Sequence, residues 1–251
     1  ALGTVGGLGV SASLSLWFFF GQRRRPYRIG RRALRPHGPT IRALLGVGMP
    51  SFLAGLGATV LAALVNSTLS GGGGDGGAGQ ATALAAYAGC ARIQTFVMMP
   101  QLGISQGLQP VVGFNAGRGL PERVLRAKVL ALRASLVYGA VVLVTVVVLA
   151  GPLVAVFVRD PGIGSAARHG LRLIALGLAV AGVAPLVSAF FQSLGRPRPS
   201  YLISIGTVVA VKIPLVVALG RTGDGAGGLW VALPLGEAVS ALAALVGPGR
   251  F

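Results

Sequence analysis

Three charged side chains lie inside long apolar stretches of this 251-residue chain. Arg92, Lys212 and Glu237 sit at similar depths, and a charge at the centre of a lipid-exposed helix costs on the order of 2.5–3.5 kcal/mol. Glu237 is the only acid within these stretches, so we expect Arg92 and Lys212 to be its intramembrane charge partners. Two interpretations stay open: a structural salt bridge with snorkelling basic side chains, or a Glu237 carboxylate that titrates or binds a coupling ion.

A polar face recurs along residues 81–114, formed by Gln94, Gln101, Ser105 and Gln109 at spacings of seven, four and four. At about 100° per residue, these positions share one side of a helix. Hydrocarbon does not solvate such side chains. They therefore either hydrogen-bond to neighbouring helices, at about 0.6–2 kcal/mol per bond, or line a water-filled cavity.

Two further stretches carry polar residues at helical spacing. Thr59 and Asn66 share one face of the stretch 44–70, and Ser188 and Gln192 lie one turn apart within 173–194. Three helices with one polar face each predict a bundle around a polar interior. The predicted cavity-lining residues are Thr59, Asn66, Gln94, Gln101, Ser105, Gln109, Ser188 and Gln192.

Residue sets that perform catalysis are missing from the sequence. The five acids form no close pair for acid/base chemistry, and His37 and His169 lie beside arginines without a neighbouring carboxylate. Cys90 is the single cysteine, which excludes a disulfide framework and a multi-cysteine metal site. We therefore expect no enzyme, no bound metal and no organic cofactor.

The composition indicates what positions these residues. Hydrophobic residues make up 53% of the chain and charged residues 11%, with a mean hydropathy of +0.78. Apolar runs longer than about 18 residues predict membrane-spanning helices and exclude a soluble domain or a disordered chain. The net charge of +17 lies in short gaps between these runs. This pattern favours membrane topology over nucleic-acid binding.

We predict an all-α integral membrane protein, a bundle of about seven transmembrane helices. The glycine-rich segment 71–77 is a predicted flexible loop, and residues 159–162 a predicted turn. The predicted spans are residues 1–20, 44–70, 81–114, 134–158, 173–194, 200–219 and 228–246.

Basic residues orient this bundle. If the loop after the first span is cytoplasmic and sides alternate, 16 Arg and Lys residues fall inside and 4 outside. This asymmetry predicts that the loop after the first span is cytoplasmic. We expect a multi-pass protein of the plasma (inner) membrane, with the lipid bilayer as partner. The outer four are Arg159, Arg168, Arg172 and Arg221; the inner sixteen are Arg23, Arg24, Arg25, Arg28, Arg31, Arg32, Arg35, Arg42, Arg118, Arg123, Arg126, Lys128, Arg133, Arg196, Arg198 and Arg250.

Several motifs resemble one transporter family. The segment 100–117 (PQLGISQGLQPVVGFNAG) resembles the eighth-helix signature of multidrug and toxic compound extrusion (MATE) transporters. Segments 48–52 (GMPSF) and 65–69 (VNSTL) resemble the seventh helix of that family. Segments 190–196 (FFQSLGR) and 228–237 (GLWVALPLGE) resemble the end of its tenth helix and the start of its twelfth.

The resemblance, which covers about residues 30–247, implies a secondary antiporter of twelve helices in two six-helix lobes. Residues 1–22 would be a transmembrane helix of a preceding N-terminal lobe. Residues 23–42 would be a cytoplasmic Arg-rich inter-lobe linker, and residues 43–251 the C-terminal six-helix lobe. The chain would then be an incomplete C-terminal portion, with the missing N-terminal lobe of the same chain as its partner.

The resemblance also implies an activity: export of amphipathic or cationic organic compounds in exchange for H⁺ or Na⁺. The family's first-helix carboxylate lies outside this sequence, so Glu237 is the ion-coupling candidate. Pro100, Pro110, Pro185 and Pro214 are candidate bending points. Two alternatives stay open, a lipid-linked oligosaccharide flippase of the same superfamily and a non-transporting membrane scaffold.

Overall fold

The structure is a computed structural model that describes residues 2–18, 36–71, 78–158, 160–220 and 226–247. It divides the chain into two units, Ala1–Ala43 and Leu44–Phe251. The predicted linker 23–42 and the glycine-rich loop lie largely outside the described residues. The assignment of residues 1–22 to another lobe stays a prediction.

Helices make up both units, and no strand occurs in the described ranges. This confirms the predicted all-α class. In chain order, the helices are α1 (Leu2–Leu16), α2 (Gly38–Gly71), α3 (Ala78–Gly117), α4 (Pro121–Val148), α5 (Ala150–Phe157), α6 (Pro161–Leu178), α7 (Val183–Ser193), α8 (Pro197–Tyr201), α9 (Ile213–Gly220) and α10 (Ala226–Val246). Two π-helical segments, Leu202–Gly206 and Val208–Lys212, join α8 to α9.

Five helical rods of the described chain are long and apolar enough to cross a membrane: Gly38–Ser70, Pro121–Val148, Pro161–Ser193, Pro197–Gly220 and Gly227–Val246. Two predicted spans are not among them. The helix α3 has 40 residues, but its polar side chains lower its hydropathy, and the apolar part of α1 is short, Val5–Leu16. The chain is a multi-pass membrane protein.

Prolines lie next to the interruptions of two rods. A proline lacks the amide that bonds to residue i−4, and its ring collides with that carbonyl. The rod α4–α5 is interrupted at Leu149, just before Pro152, and the rod α6–α7 at residues 179–182, just before Pro185. By contrast, α3 continues through Pro100 and Pro110.

The starts of α4 and α6 follow local sequence. Pro121 occupies the first turn of α4, with Glu122 beside it, a favourable pair at a helix start. The helix therefore begins well before the predicted span 134–158. At α6, the Asp160 carboxylate accepts hydrogen bonds from the amides of Gly162 (2.8 Å) and Ile163 (3.0 Å), which caps the helix. Of the predicted turn 159–162, Pro161 and Gly162 already belong to α6.

Two turns mark one end of the second unit, which we call the basic end. Gly119 and Gly195 adopt positive φ angles of 68° and 66° there, and this left-handed conformation favours glycine. A basic-end apolar cluster packs beneath these turns. It includes Leu108, Val112, Val124, Val183, Leu186, Val187, Phe190, Phe191 and Ala241.

Two other apolar clusters lie at the end of the unit opposite the basic end. The first includes Cys90, Ile93, Val146, Val154, Leu171, Ile174, Leu178 and Trp230. The second includes Val65, Leu69, Val216, Leu229 and Ala232. We call them the far-end clusters. At the basic end, α4 contributes its N-terminal part, whereas α3, α7 and α10 contribute their C-terminal parts. Successive rods therefore alternate in direction.

Candidate functional site

A polar layer separates the apolar clusters at mid-height. On the α6–α7 rod, Leu178 belongs to a far-end cluster and Val183 to the basic-end cluster, so the break at 179–182 lies between them. The helices α3, α4 and α10 each contribute residues to both clusters, and the residues between these contributions lie at the same height. We call this layer the waist; its polar side chains are Gln101, Ser135, Lys212 and Glu237.

An ion pair crosses the waist between the second π-helical segment and α10. Lys212 Nζ lies 2.6 Å from Glu237 Oε1, and the two side chains are 19% and 21% exposed. The third intramembrane charge, Arg92, lies on an exposed face of α3. The structure therefore pairs Glu237 with Lys212.

Glycines allow the backbones to approach closely around this pair. A Cβ at Gly236 would lie 3.2 Å from Lys212 Cγ. A Cβ at Gly177 would lie 2.7 Å from Pro234 Cα and 3.4 Å from Glu237 Cβ. The Glu237 side chain is thus confined between α6 and the π-helical rod, which limits the rotamers it can adopt.

A second polar contact joins α3 to α4. The Gln101 amide donates to the Ser135 backbone carbonyl (3.3 Å) and hydroxyl (3.0 Å). Because a carbonyl only accepts, this bond fixes which way the amide is turned. The buried Gln101 Oε1 has no partner among the described residues. A Cβ at Gly182 would overlap this amide, so Gln101 also packs against the α6–α7 break.

Five side chains nearer the basic end form a third polar group, which we call the hydroxyl cluster: Ser51, Ser188, Gln192, Ser200 and Ser204. Ser51 donates to Gln192 Oε1 (2.9 Å), and Gln192 Nε2 donates to Ser200 (3.0 Å) and Ser188 (3.2 Å). The Ser188 hydroxyl lies 2.7 Å from those of Ser200 and Ser204. The cluster thus fastens α2 to α7 and α8.

The remaining predicted cavity residues differ in exposure. Thr59, Asn66 and Gln109 are exposed, and Gln94 is half-buried. Ser105 is buried. The Thr59 hydroxyl donates to the Gly55 carbonyl of its own helix (3.0 Å). The exposed positions lie on surfaces of α2 and α3, whereas Gln101, Ser105 and Ser188 are enclosed within the unit.

The structure therefore distributes the predicted residues over several places. It brings Ser188 and Gln192 together in the hydroxyl cluster and places Gln101 in the waist. A cavity lined by all eight residues stays a prediction. Sequence reasoning missed Ser51, Ser135, Ser200 and Ser204. The four-residue spacing of Ser200 and Ser204, which matches that of Ser188 and Gln192 on the preceding helix, would have indicated a second polar face.

The waist suits cation chemistry more than covalent chemistry. The ion pair uses one carboxylate oxygen of Glu237, and the structure records no bond to Oε2 from any described residue. No group of three potential metal ligands occurs in the described ranges. The waist thus contains an enclosed carboxylate, and carboxylates within membrane-spanning segments occur mainly on ion and substrate pathways.

An interrupted helix and a charged pair at mid-height, within a bundle of alternating apolar helices, are features of secondary transporters. Residues 76–217, more than half of the chain, match the MatE family. The chain belongs to the multidrug and toxic compound extrusion family, a family of transporters rather than enzymes.

Individual relatives agree with this assignment. The chain is 27% identical over 154 residues to the FAD transporter of Shewanella oneidensis, which covers 61% of this chain and 34% of the relative. It is 24% identical over 250 residues to the multidrug export protein MepA of Staphylococcus haemolyticus, and the alignment covers 97% of this chain and 52% of the relative. The chain thus spans about half the length, or less, of these curated relatives.

Solved structures show the same fold. The outward-facing conformation of a multidrug resistance MATE family transporter of the MOP superfamily superposes with a TM-score of 0.84 at 20% identity. The match covers 94% of this chain and 52% of that one. The chain therefore folds as half of such a transporter does.

Proposed function

We propose that this chain is the C-terminal portion of an antiporter that exports amphipathic or cationic organic compounds in exchange for H⁺ or Na⁺. The family supports a transporter, and the multidrug export protein MepA, which aligns with nearly the whole chain, supports an organic cargo. The missing N-terminal lobe of the same chain is the proposed partner that completes the cavity, and the plasma membrane is the proposed location.

The Lys212–Glu237 pair is the observation that carries this proposal. It is an intramembrane carboxylate within hydrogen-bonding distance of a cation, and each side chain is about one-fifth exposed. Carboxylates at such depth are costly and occur mainly on ion and substrate pathways. We assign Glu237 the coupling ion, with no further cofactor.

The exposed polar residues of α2 and α3 supply the proposed cargo surface. Thr59, Asn66 and Gln109 would face the second lobe and offer neutral hydrogen-bonding groups to an amphipathic compound. Binding of the coupling ion would favour one orientation of the lobes and cargo the other. Gln94 and Gln192, both half-buried, would line the margin of this surface.

Replacement of Glu237 in the full-length transporter tests the proposal. We expect Glu237→Gln to lower ethidium export about tenfold or more in everted vesicles driven by a pH or Na⁺ gradient. The reason is that a neutral amide binds neither cation, and removal of one member of an enclosed pair costs several kcal/mol. Fluorescence dequenching measures the export, with membrane abundance determined by immunoblot.

Glu122→Gln is the matched control, because it makes the same chemical change at an exposed position in the first turn of α4. We expect it to export at the wild-type rate. Normal gradient-driven export by Glu237→Gln at normal abundance would remove Glu237 from the coupling mechanism.

A second cargo is favoured by one specific finding, the 27% identity to a protein described as an FAD transporter. An anionic dinucleotide would need cationic partners, and Arg92 and Lys212 are the intramembrane candidates. Export of FAD against export of ethidium, measured in the same vesicles, separates the two cargoes. FAD export that depends on Arg92 and Lys212 would favour the anionic cargo.

A further inference from the structure

The Lys212 ammonium occupies a position that a transported cation would need. It lies 2.6 Å from Glu237 Oε1, the distance of a charge-assisted hydrogen bond. A free cation approaching Glu237 would have to share the carboxylate with this ammonium or replace it. Lys212 is tethered, so its local concentration at Glu237 greatly exceeds that of a dissolved ion.

Lys212 is also the one cation of the described residues that faces Glu237. The helix α10 packs against α6, α7, α9 and both π-helical segments. Of these elements, α7 and α9 carry no charged residue. The charged residues of α6 are Arg168, His169 and Arg172, and they lie more than a turn before Gly177, the α6 residue beside Glu237.

A released Lys212 side chain has an alternative place to go. The residue lies eight positions before Gly220, where α9 ends, or about 12 Å along a helix at 1.5 Å per residue. The four-carbon stem of a lysine can extend its ammonium toward an interface at such depth. The π-helical backbone at Val208–Lys212 is the kind of local irregularity that often accompanies functional positions.

We propose that Lys212 is a tethered competitor for the cation site at Glu237, and that a monovalent cation and the Lys212 ammonium occupy this carboxylate alternately. The cation is either Na⁺ or an organic cation of the cargo class. The inference rests on the proposed transport function and adds a residue that sets its cation affinity. Because Lys212 holds the site when no cation is bound, the carboxylate never faces the membrane interior unpaired.

Amine labelling of the unmodified full chain tests this competition. The sequence contains two lysines, Lys128 and Lys212, so reductive methylation followed by peptide mass spectrometry measures Lys212 against an internal reference. We expect NaCl or tetraphenylphosphonium chloride, compared with choline chloride at equal ionic strength, to raise Lys212 methylation severalfold. Lys128 methylation should not change. The salt that produces the increase identifies the cation.

Variants provide the second arm. In Glu237→Gln, we expect Lys212 to be methylated strongly and equally in every salt, because the carboxylate that holds it is gone. We expect Lys212→Met to bind ²²Na⁺ or labelled tetraphenylphosphonium at least about tenfold more tightly than wild type, a change of 1.4 kcal/mol. The double variant Lys212→Met/Glu237→Gln should lose this binding, and its neutral pair serves as the folding control.

Equal Lys212 methylation of the wild type in all three salts would overturn the inference. This measurement does not depend on the folding of any variant. A Lys212→Met variant that folds and binds both cations no better than wild type would also overturn it. These measurements report occupancy of Glu237 and not transport. A chain that shows cation-dependent labelling but exports nothing would contradict the proposed function alone.

Discussion

The Gln101 side chain shows what residue type and spacing can and cannot predict. Its position on a polar face of α3 is evident from the sequence. Its partners are not, because Ser135 lies on α4, Gly182 lies in the α6–α7 break, and neither residue belongs to a matching pattern. The structure leaves Gln101 only 3% exposed and bonds it to α4. Periodicity identifies a helix face, but tertiary packing determines what that face contacts.

Two glutamines of this face should therefore respond differently to truncation. Gln101→Ala removes a buried hydrogen bond and leaves the Ser135 hydroxyl without its donor, which costs about 1–3 kcal/mol. We expect it to lower the thermal midpoint of the detergent-purified protein. Gln109→Ala changes an exposed side chain and should leave this midpoint unchanged.

In a transport assay, we expect the effect at Gln109, the position that leaves the thermal midpoint unchanged. If Gln109 contacts cargo, as proposed, Gln109→Ala lowers ethidium export at normal protein abundance. A Gln109→Ala variant with normal export, beside a Gln101→Ala variant of normal stability, would contradict both assignments.

At the scale of elements, the local sequence predicts where a helix starts better than where a helix is interrupted. The starts of α4 and α6 agree with the proline and aspartate that begin them. The breaks do not follow from proline alone, since α3 passes through Pro100 and Pro110. Glycine is present near Pro110 as well as near Pro185, so composition does not separate the two cases. Packing of neighbouring helices decides whether a helix continues past a proline.

Replacement of Pro185 tests the origin of the α6–α7 break. Pro185→Ala restores an amide that can donate to the Ala181 carbonyl, so we expect a more regular helix at this point. Hydrogen exchange of the amides at 179–184, measured by mass spectrometry, should slow relative to wild type. Pro110→Ala is the control, because α3 is already continuous there. Faster exchange in Pro185→Ala would assign the break to another cause.

At the scale of the whole molecule, the sequence predicts the all-α membrane class and the alternation of the rods, but only five of the seven predicted spans correspond to helices of the described chain that are long and apolar enough to cross a membrane. Long apolar runs and the distribution of Arg and Lys suffice for the class and the alternation, since hydrocarbon allows few backbone solutions. Span limits are less well predicted, because helices extend beyond the hydrocarbon into charged segments. Arg123, Arg126 and Lys128 all lie within α4, although the predicted span begins after them.

Cysteine accessibility tests the predicted orientation. The single native cysteine, Cys90, is buried, so the unmodified chain gives little background. We expect Arg118→Cys, in the turn before α4, to react with a membrane-impermeant maleimide only in everted vesicles. Ser165→Cys, on an exposed part of α6, should react in intact cells. Labelling of both sites from the same side would contradict the alternating arrangement.

The waist has a mechanical consequence for any bending of the unit 44–251. Tightly packed clusters at both ends resist deformation, whereas the segments 179–182 and 202–212 replace regular α-helix with turns and π-helical backbone. Bending would therefore occur mainly in these two segments. The continuous helices α3 and α10 are stiffer and would oppose it. The carboxylate of Glu237 lies beside these segments, so the proposed binding of a cation there and any bending of the helices would affect each other directly.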